Sequence, residues 1–462
     1  MSPIRKSLFP FISHNKPKAE KTQLFHKVVS EKDGYTSRIH LRINPDGSGV
    51  LWVNANQTFH LNQSAAMFAQ YLFEGKSEEQ IRMEIKKSFP KNYAQVQKDF
   101  EEFSPPLKAL INGNGFVCDL CESGIASEMP FKTVPSAPFR MDLAITYACN
   151  NNCTHCYNEK DRIVKSLPVN DWKRILQKIT DLGIPHVVFT GGEPTLIPDL
   201  IELIKFAEIS GLITGINSNG RRMSDPDFTA QLIDTGIDHI QITLESHRED
   251  IHDRMVGEQG AWQETVAGIR NAVKSRAFVM TNTTLLRSNA TPENATALVD
   301  FLHSLSVKTV GINALIYSGR GKNVDSGLHE AELSPLLAAA SDACQRNGQR
   351  LIWYTPTQYC QFDPLENGYG LKGCTAARYA MCIEPDGSVL PCQSWYQPVG
   401  NILIDPWESI WNHPLCQSIR DRKLMPEGCN NCEKAQTCGG GCPLAAPYLP
   451  QVKPINTIPP CF

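Results

Sequence analysis

Basic residues are not in surplus in this chain of 462 residues: 45 Lys and Arg stand against 48 Asp and Glu, a net charge of −3. Without a basic footprint, nucleic acid is not an expected partner. Nowhere do eighteen apolar residues run together, so no membrane span is expected. The opening MSPIRKSLFPFISHNKPKAEK lacks a sustained apolar stretch and a small-residue cleavage site. It does not read as a signal peptide, and a cytoplasmic location is the expectation. Internal repeats and low-complexity tracts are missing too, which sets aside solenoids and arrays. Cysteine, by contrast, is abundant: there are sixteen. In a long chain with no secretion signal, clustered cysteines bind metal or do chemistry more often than they pair as disulfides.

At this length two to four domains are expected, and 41% hydrophobic residues can supply their cores. Residues 1–36 read as a flexible lead-in. Residues 37–115 read as two strands and three helices. SRIHLRI and GVLWVNA flank a hairpin turn at Asp46-Gly47. LNQSAAMFAQYLFEG puts Leu61, Ala65, Phe68 and Leu72 on one helical face, with Gly75 as the stop. Ser77 and Gln80 read as a capping box. A third helix begins at YAQVQKDFEEF, and Pro105-Pro106 is expected to interrupt or kink it. Residues 116–139 read as a linker.

From 140 to 349, strands such as MDLAIT, HVVFT, LITGIN, HIQITL, FVMTNTTL and TVGINAL alternate with helical patterns. Six βα units imply an α/β fold with a parallel sheet, an open (β/α)6 barrel rather than a closed eightfold one. Functional residues belong at the C-terminal strand ends. Residues 350–462 are irregular, short-stranded and rich in Gly, Pro and Cys, with a strand-turn-strand expected at ARYAMCIEPDGSVLPC, so ligated metal is expected to hold them together.

After the first barrel strand comes Cys149-Asn-Asn-Asn-Cys153-Thr-His-Cys156. Three thiolates on one short loop can hold three irons of a 4Fe–4S cube and leave the fourth iron open to a small molecule. A zinc site or buried thiols would be the alternative. After the second strand comes Gly191-Gly192-Glu193-Pro194. Glycines allow close backbone approach to a ligand, and a carboxylate at a strand end can hold an ammonium.

With CxxxCxxC after strand one and GGEP after strand two, residues 140–347 resemble the radical S-adenosylmethionine (SAM) superfamily. The resemblance implies that the cube binds the amine and carboxylate of SAM, and that Gly191, Gly192, Glu193 and Pro194 contact its amino group. The reduced cluster would then cleave SAM to a 5′-deoxyadenosyl radical that takes a substrate hydrogen. Further contacts are implied at Ser218 and Asn219 in the NSNG turn, at Thr243 and Glu245 in TLES, and at Arg254 in His252-Asp253-Arg254, which would pair with the SAM carboxylate. Thr243 and Glu245 depart from the family's SLDG-like sequence, and His155 stands where many relatives have an aromatic residue.

Cys374, Cys392, Cys429, Cys432, Cys438, Cys442 and Cys461 follow in an order similar to the SPASM extension, which binds two auxiliary 4Fe–4S clusters. The resemblance implies Cys374, Cys392 and Cys442 for the first and Cys429, Cys432, Cys438 and Cys461 for the second, three clusters in all. Cys360 is expected to supply the eighth ligand, to the first cluster, with Cys382 as the competitor. Gln393 replaces the aspartate of the sulfatase-maturing branch. Cys344 and Cys416 read as buried thiols. Cys118 and Cys121 form a CxxC in the linker with no assigned role.

Residues 37–115 resemble the PqqD-like, winged-helix-like recognition element of ribosomal-peptide maturation systems, on the hairpin followed by HLNQSAAMFAQYLFEGKSEEQI. Such elements hold a leader peptide as an added strand. The expectation is therefore a peptide maturase that takes a precursor peptide through its leader. A flavodoxin or ferredoxin would be its electron donor, and crosslinking, oxidation, epimerisation or excision its outcome. A radical SAM enzyme of small molecules and a non-enzymatic metal scaffold are the alternatives. No catalytic acid or base is identified.

Overall fold

The computed structural model describes residues 22–30, 36–53, 57–112, 135–158, 165–429 and 431–448. Cys118, Cys121 and Cys461 lie outside them. The chain divides into two compact units. Among the described residues no helix is long and apolar enough to cross a membrane.

The first unit holds residues up to Phe139 with 176–186 and 209–213. Four strands, β1 (Gln23–Ser30), β2 (Thr36–Ile43), β3 (Gly49–Val53) and β4 (Gln57–Leu61), form an antiparallel sheet in that order. The expected hairpin is β2–β3. β1 was not expected, and it lies in the segment read as a flexible lead-in. Its apolar residues do not alternate cleanly, yet all eight residues pair with β2. Helices α1 (Gln63–Phe73), α2 (Glu78–Ser88) and α3 (Tyr93–Ile111) follow. Asn62 caps α1, and Ser77 with Gln80 forms the capping box of α2.

Pro105 and Pro106 do not interrupt α3, which continues through both. Those prolines remove the bonds to the carbonyls of Glu101 and Glu102. Both glutamates are exposed, which leaves those carbonyls open to solvent. Phe103, Leu107 and Leu110 stay buried and hold the helix to its core. The Phe68 ring packs edge-on against Phe100 at 5.3 Å in that core.

The second unit carries a ten-stranded sheet. Six parallel strands follow the expected segments: β5 (Arg140–Thr146), β6 (His186–Gly191), β7 (Ile213–Ser218), β8 (His239–Thr243), β9 (Phe278–Leu285) and β10 (Thr309–Ala314). Helices between them include α4 (Val169–Asp181), α5 (Leu200–Ile209), α6 (Pro226–Ile233), α7 (Glu249–Val256), α8 (Ala261–Ala272) and α9 (Pro292–Ser304). After α10 (Leu333–Asn347), strand β11 (Arg350–Trp353) adds in parallel to β10.

At the opposite edge β12 (Ala380–Ile383) adds in parallel to β5. It turns through Pro385-Asp386-Gly387 into β13 (Ser388–Leu390), which pairs with β14 (Gly400–Asn401). The strand order β11-β10-β9-β8-β7-β6-β5-β12-β13-β14 is that of an open sheet. The expected strand-turn-strand is β12–β13, and through it the Cys-rich region extends the sheet. Cys344 and Cys416 are buried, as expected.

Phe68→Ala is expected to destabilise the first unit by about 3–5 kcal/mol. Amide hydrogen exchange of the full chain checks this: protection in β2, β3 and α3 should fall, and unchanged protection would contradict the proposed core.

Candidate active site and metal centres

The three cysteines Cys149, Cys153 and Cys156 lie on the loop that leaves β5. A loop without secondary structure needs outside partners for its backbone. Here those partners come from beyond the ends of four other strands. Gly192 N donates to Thr146 O at 2.7 Å, and Glu193 N to Ala148 O at 2.8 Å. A Cβ on Gly192 would stand 2.3 Å from Ala148 O and 2.6 Å from Tyr147 O. The close approach that demands glycine is thus to the cysteine loop itself, whereas the motif alone suggested a ligand.

Past β8, α7 ends against the same loop. Asn152 N and Thr154 N donate to Val256 O and Met255 O at 2.8 and 3.0 Å, which satisfies carbonyls a helix end leaves unpaired. Past β10, Gly321 N donates to Cys156 O at 3.2 Å, and Arg320 bonds Asn152 Oδ1. Past β7, Asn219 Nδ2 donates to Asn150 Oδ1 at 2.6 Å. Arg221 bonds Asn150 O, reaches Asn151 Oδ1 at 2.9 Å and pairs with Glu264. Arg221 and Arg320 were not singled out in the sequence, since their value depends on a loop 70 or more residues away.

Glu193 is 1% exposed, and four donors reach its carboxylate. Oε1 accepts from Thr195 N, Thr195 Oγ1 and Ser218 Oγ at 3.1, 2.6 and 2.8 Å. Oε2 accepts from Asn219 N at 2.7 Å. A carboxylate offers about four acceptor sites. Glu193 therefore locks the ends of β6 and β7 together and brings Ser218 and Asn219 into register. Burial raises its pKa, and the hydrogen bonds oppose that rise. Pro194 opens the short helix Pro194–Leu196 that Glu193 caps.

Two departures from the family pattern meet in space. His155 Nε2 and Glu245 Oε1 are 2.9 Å apart, and both side chains are buried. Glu245 Oε2 also accepts from Thr284 N at 2.8 Å. His252 Nδ1 accepts from Glu245 N at 3.1 Å, and Asp253 accepts from Gly260 N and Trp262 N. Thr243 closes β8 opposite Asn282. Arg254 is not brought into this network. Its side chain is 67% exposed, with Asp250 3.9 Å away.

Two of the loop thiols are raised. Loss of water pushes Cys149 up to about 11, with Glu193 and Cys156 adding to it. Loss of water also raises Cys153 well above the ordinary range, helped by Cys156, Glu245 and Cys149. Iron loading therefore releases protons. No three His, Cys, Asp or Glu side chains among the described residues converge on one metal ion. A cube asks for something else, because each thiolate takes its own iron at a separate corner.

Several buried polar atoms have no hydrogen-bond partner among the described residues: His155 Nδ1, His252 Nε2, Arg320 Nε, Thr281 Oγ1, Asn282 Oδ1 and Asn313 Oδ1. Each such atom costs about 1–3 kcal/mol when unmatched. His155 lies on the cysteine loop, and Arg320 and His252 lie on segments bonded to it, so their free atoms suit a polar ligand there.

The C-terminal cysteines fall into two sets. Burial pushes Cys374 up to about 12, with Cys442 adding to it, and burial raises Cys392, with Cys374 and Cys442 adding to it. Cys360, expected with the first set, has Cys438 and Cys429 among the thiols that raise it. Cys429 feels Cys438 and Cys432. Cys382, the competitor, packs with Ala144 and Leu390 in an apolar cluster.

Gly192→Ala is expected to push the cysteine loop away from β6. Anaerobic iron analysis should show about four irons fewer per chain. An iron content equal to that of the unaltered chain would contradict this packing.

Comparison with known proteins agrees with this geometry. The profile of the Radical SAM superfamily matches residues 143–302. That of SPASM, an iron–sulfur cluster-binding domain, matches residues 374–433. A PqqA peptide cyclase of Gluconobacter oxydans is 28% identical over 345 residues, covering 71% of this chain and 92% of its own. An AdoMet-dependent heme synthase of Methanosarcina barkeri is 24% identical over 323 residues, covering 66% of this chain and 91% of its own. The structure of Streptococcus suis SuiB bound to precursor peptide SuiA superposes with a TM-score of 0.68 over 92% of this chain and 95% of its own, at 17% identity, a likeness of fold. The chain thus carries a radical SAM domain followed by a SPASM domain, and it is a SAM-dependent enzyme.

Proposed function

We propose that this chain is a peptide maturase that modifies a ribosomally made precursor. The observation that carries the proposal is the cysteine loop after β5, gripped at the ends of β6, β7, β8 and β10 and joined in one chain to a SPASM domain. Cys149, Cys153 and Cys156 would hold a 4Fe–4S cluster with one iron free for SAM. When bound, these groups supply a 5′-deoxyadenosyl radical that abstracts hydrogen from the substrate.

The chain's own residues position and shield that chemistry. Glu193 fixes the ends of β6 and β7, and Ser218 and Asn219 are held there by it. The His155–Glu245 pair ties the loop to β8. The unmatched atoms of His155 and Arg320 offer hydrogen bonds to a nucleoside and an amino-acid headgroup. Arg254, exposed on α7, would need a change of side-chain conformation to reach a carboxylate at the loop.

The C-terminal cysteines would hold two auxiliary clusters, making three in all. A flavodoxin or ferredoxin would supply electrons, in the cytoplasm. The first unit fits a PqqD-like recognition element: its antiparallel sheet has β1 and β4 at its edges, backed by α1–α3. An extended leader added to such an edge gains main-chain hydrogen bonds with modest sequence demand. Tethering that element to the barrel raises the effective concentration of substrate. The relatives support a peptide substrate through PqqA peptide cyclase and SuiB with its precursor SuiA. The heme synthase of Methanosarcina barkeri favours a second reading, chemistry on a small molecule.

Alanine at Cys149, Cys153 and Cys156 together is expected to abolish SAM cleavage under strongly reducing, anaerobic conditions. Cleavage at the unaltered rate would remove the assignment. Candidate short precursors should bind the full chain with a dissociation constant that rises when their leader is removed. Turnover of a metabolite with no leader binding would favour the small-molecule reading.

A further inference from the structure

Two segments of the C-terminal region are clamped together on both sides of Cys360. Before it, Tyr359 N donates to Cys438 Sγ at 3.4 Å, and Cys438 Sγ donates to Thr357 O at 3.6 Å. After it, Asp363 and Glu366 both take the ammonium of Lys434, Asp363 Oδ2 at 2.8 Å. Lys434 lies between Cys432 and Cys438 in the sequence. Cys360 is thus held between two anchor points on the segment that carries Cys429, Cys432 and Cys438.

The first set lies in the other direction. The Tyr359 hydroxyl bonds both N and O of Lys372, each at 3.0 Å, two residues before Cys374. The backbone of Tyr359 faces Cys438 while its ring spans toward the Cys374 side. The Tyr359 hydroxyl thus anchors the segment leading to Cys374, while the Tyr359 backbone, next to Cys360, is anchored on Cys438.

We infer that Cys360 completes the ligand set of the second auxiliary cluster with Cys429, Cys432 and Cys438, and does not serve the first. Each thiol binds one iron as thiolate and gives its proton to solvent. Four thiolates saturate one cube. Cys461 is then not required there, in contrast to the pairing implied by family resemblance. This inference rests on the reading that the chain loads auxiliary clusters, and it adds which thiol belongs to which.

The test uses the full chain with Cys149, Cys153 and Cys156 already changed to alanine, reconstituted anaerobically. Only the auxiliary clusters then remain, roughly eight irons. Mössbauer and reduced-state EPR spectra should show two components. Cys360→Ala should abolish the component that Cys432→Ala abolishes and leave the component that Cys374→Ala removes. The double variant Cys360→Ala/Cys432→Ala should lose no more iron than the worse single variant. Cys360→Ser, which keeps a ligand and the fold, should shift the g-values of that same component. Cys461→Ala should leave it in place. If Cys360→Ser shifts the component sensitive to Cys374, or shifts neither, the assignment is overturned. If the parent variant binds no iron, the failure lies in the cluster reading itself.

Discussion

A loop carrying three thiols has few hydrogen bonds of its own, and everything at this site depends on how that loop is held. Its backbone between Thr146 and Asn158 is bonded by Gly192, Glu193, Gly321 and the last carbonyls of α7. Asn158 Nδ2 closes the arrangement on Gly191 O at 2.9 Å, and the Tyr396 hydroxyl lies 2.6 Å from Asn158 Oδ1. Removing one of these contacts leaves a buried polar group unpaired, at about 1–3 kcal/mol. The positions of Cys149, Cys153 and Cys156 are therefore set by the strand ends, before any metal contributes.

The same constraint explains the polar inventory around the loop. Glu193 and Glu245 are both 1% exposed, and neither is free to wander. Each carboxylate is fixed by donors from a neighbouring strand end, which makes it part of the frame. What is left unmatched, on His155, His252, Arg320 and the β9–β10 side chains, is the part of the polar surface available to a ligand. Preorganised groups of this kind lose little on binding, because their orientation has already been set by folding.

Much of this was legible in the sequence, and the reason differs by element. Six barrel strands were readable because each is a short, mostly apolar run followed by a helical pattern. The cysteine loop and GGEP were readable as motifs at known places on those strands. What GGEP does locally was not: Gly192 clears its own chain's carbonyls, a fact that needs the fold. His155 and Glu245 each looked like an isolated departure, and only the structure shows that they are 2.9 Å apart across 90 residues of sequence. Arg221 and Arg320 gave no signal because a surface arginine and a loop clamp look alike in sequence. β11 and β12 are four residues each, too short for periodicity to show. The helix is not interrupted at Pro105-Pro106, where the residues whose carbonyls lose a partner, Glu101 and Glu102, are exposed.

The most direct measurement is ENDOR on the reduced, anaerobically reconstituted chain with SAM labelled by 15N at the amine and 17O at the carboxylate. A cluster held by three loop thiolates has one iron open to that headgroup, so both labels should couple to it and its g-values should shift on addition of SAM. Absence of both couplings, or their persistence when Cys149, Cys153 and Cys156 are all alanine, would contradict an open iron corner on this loop.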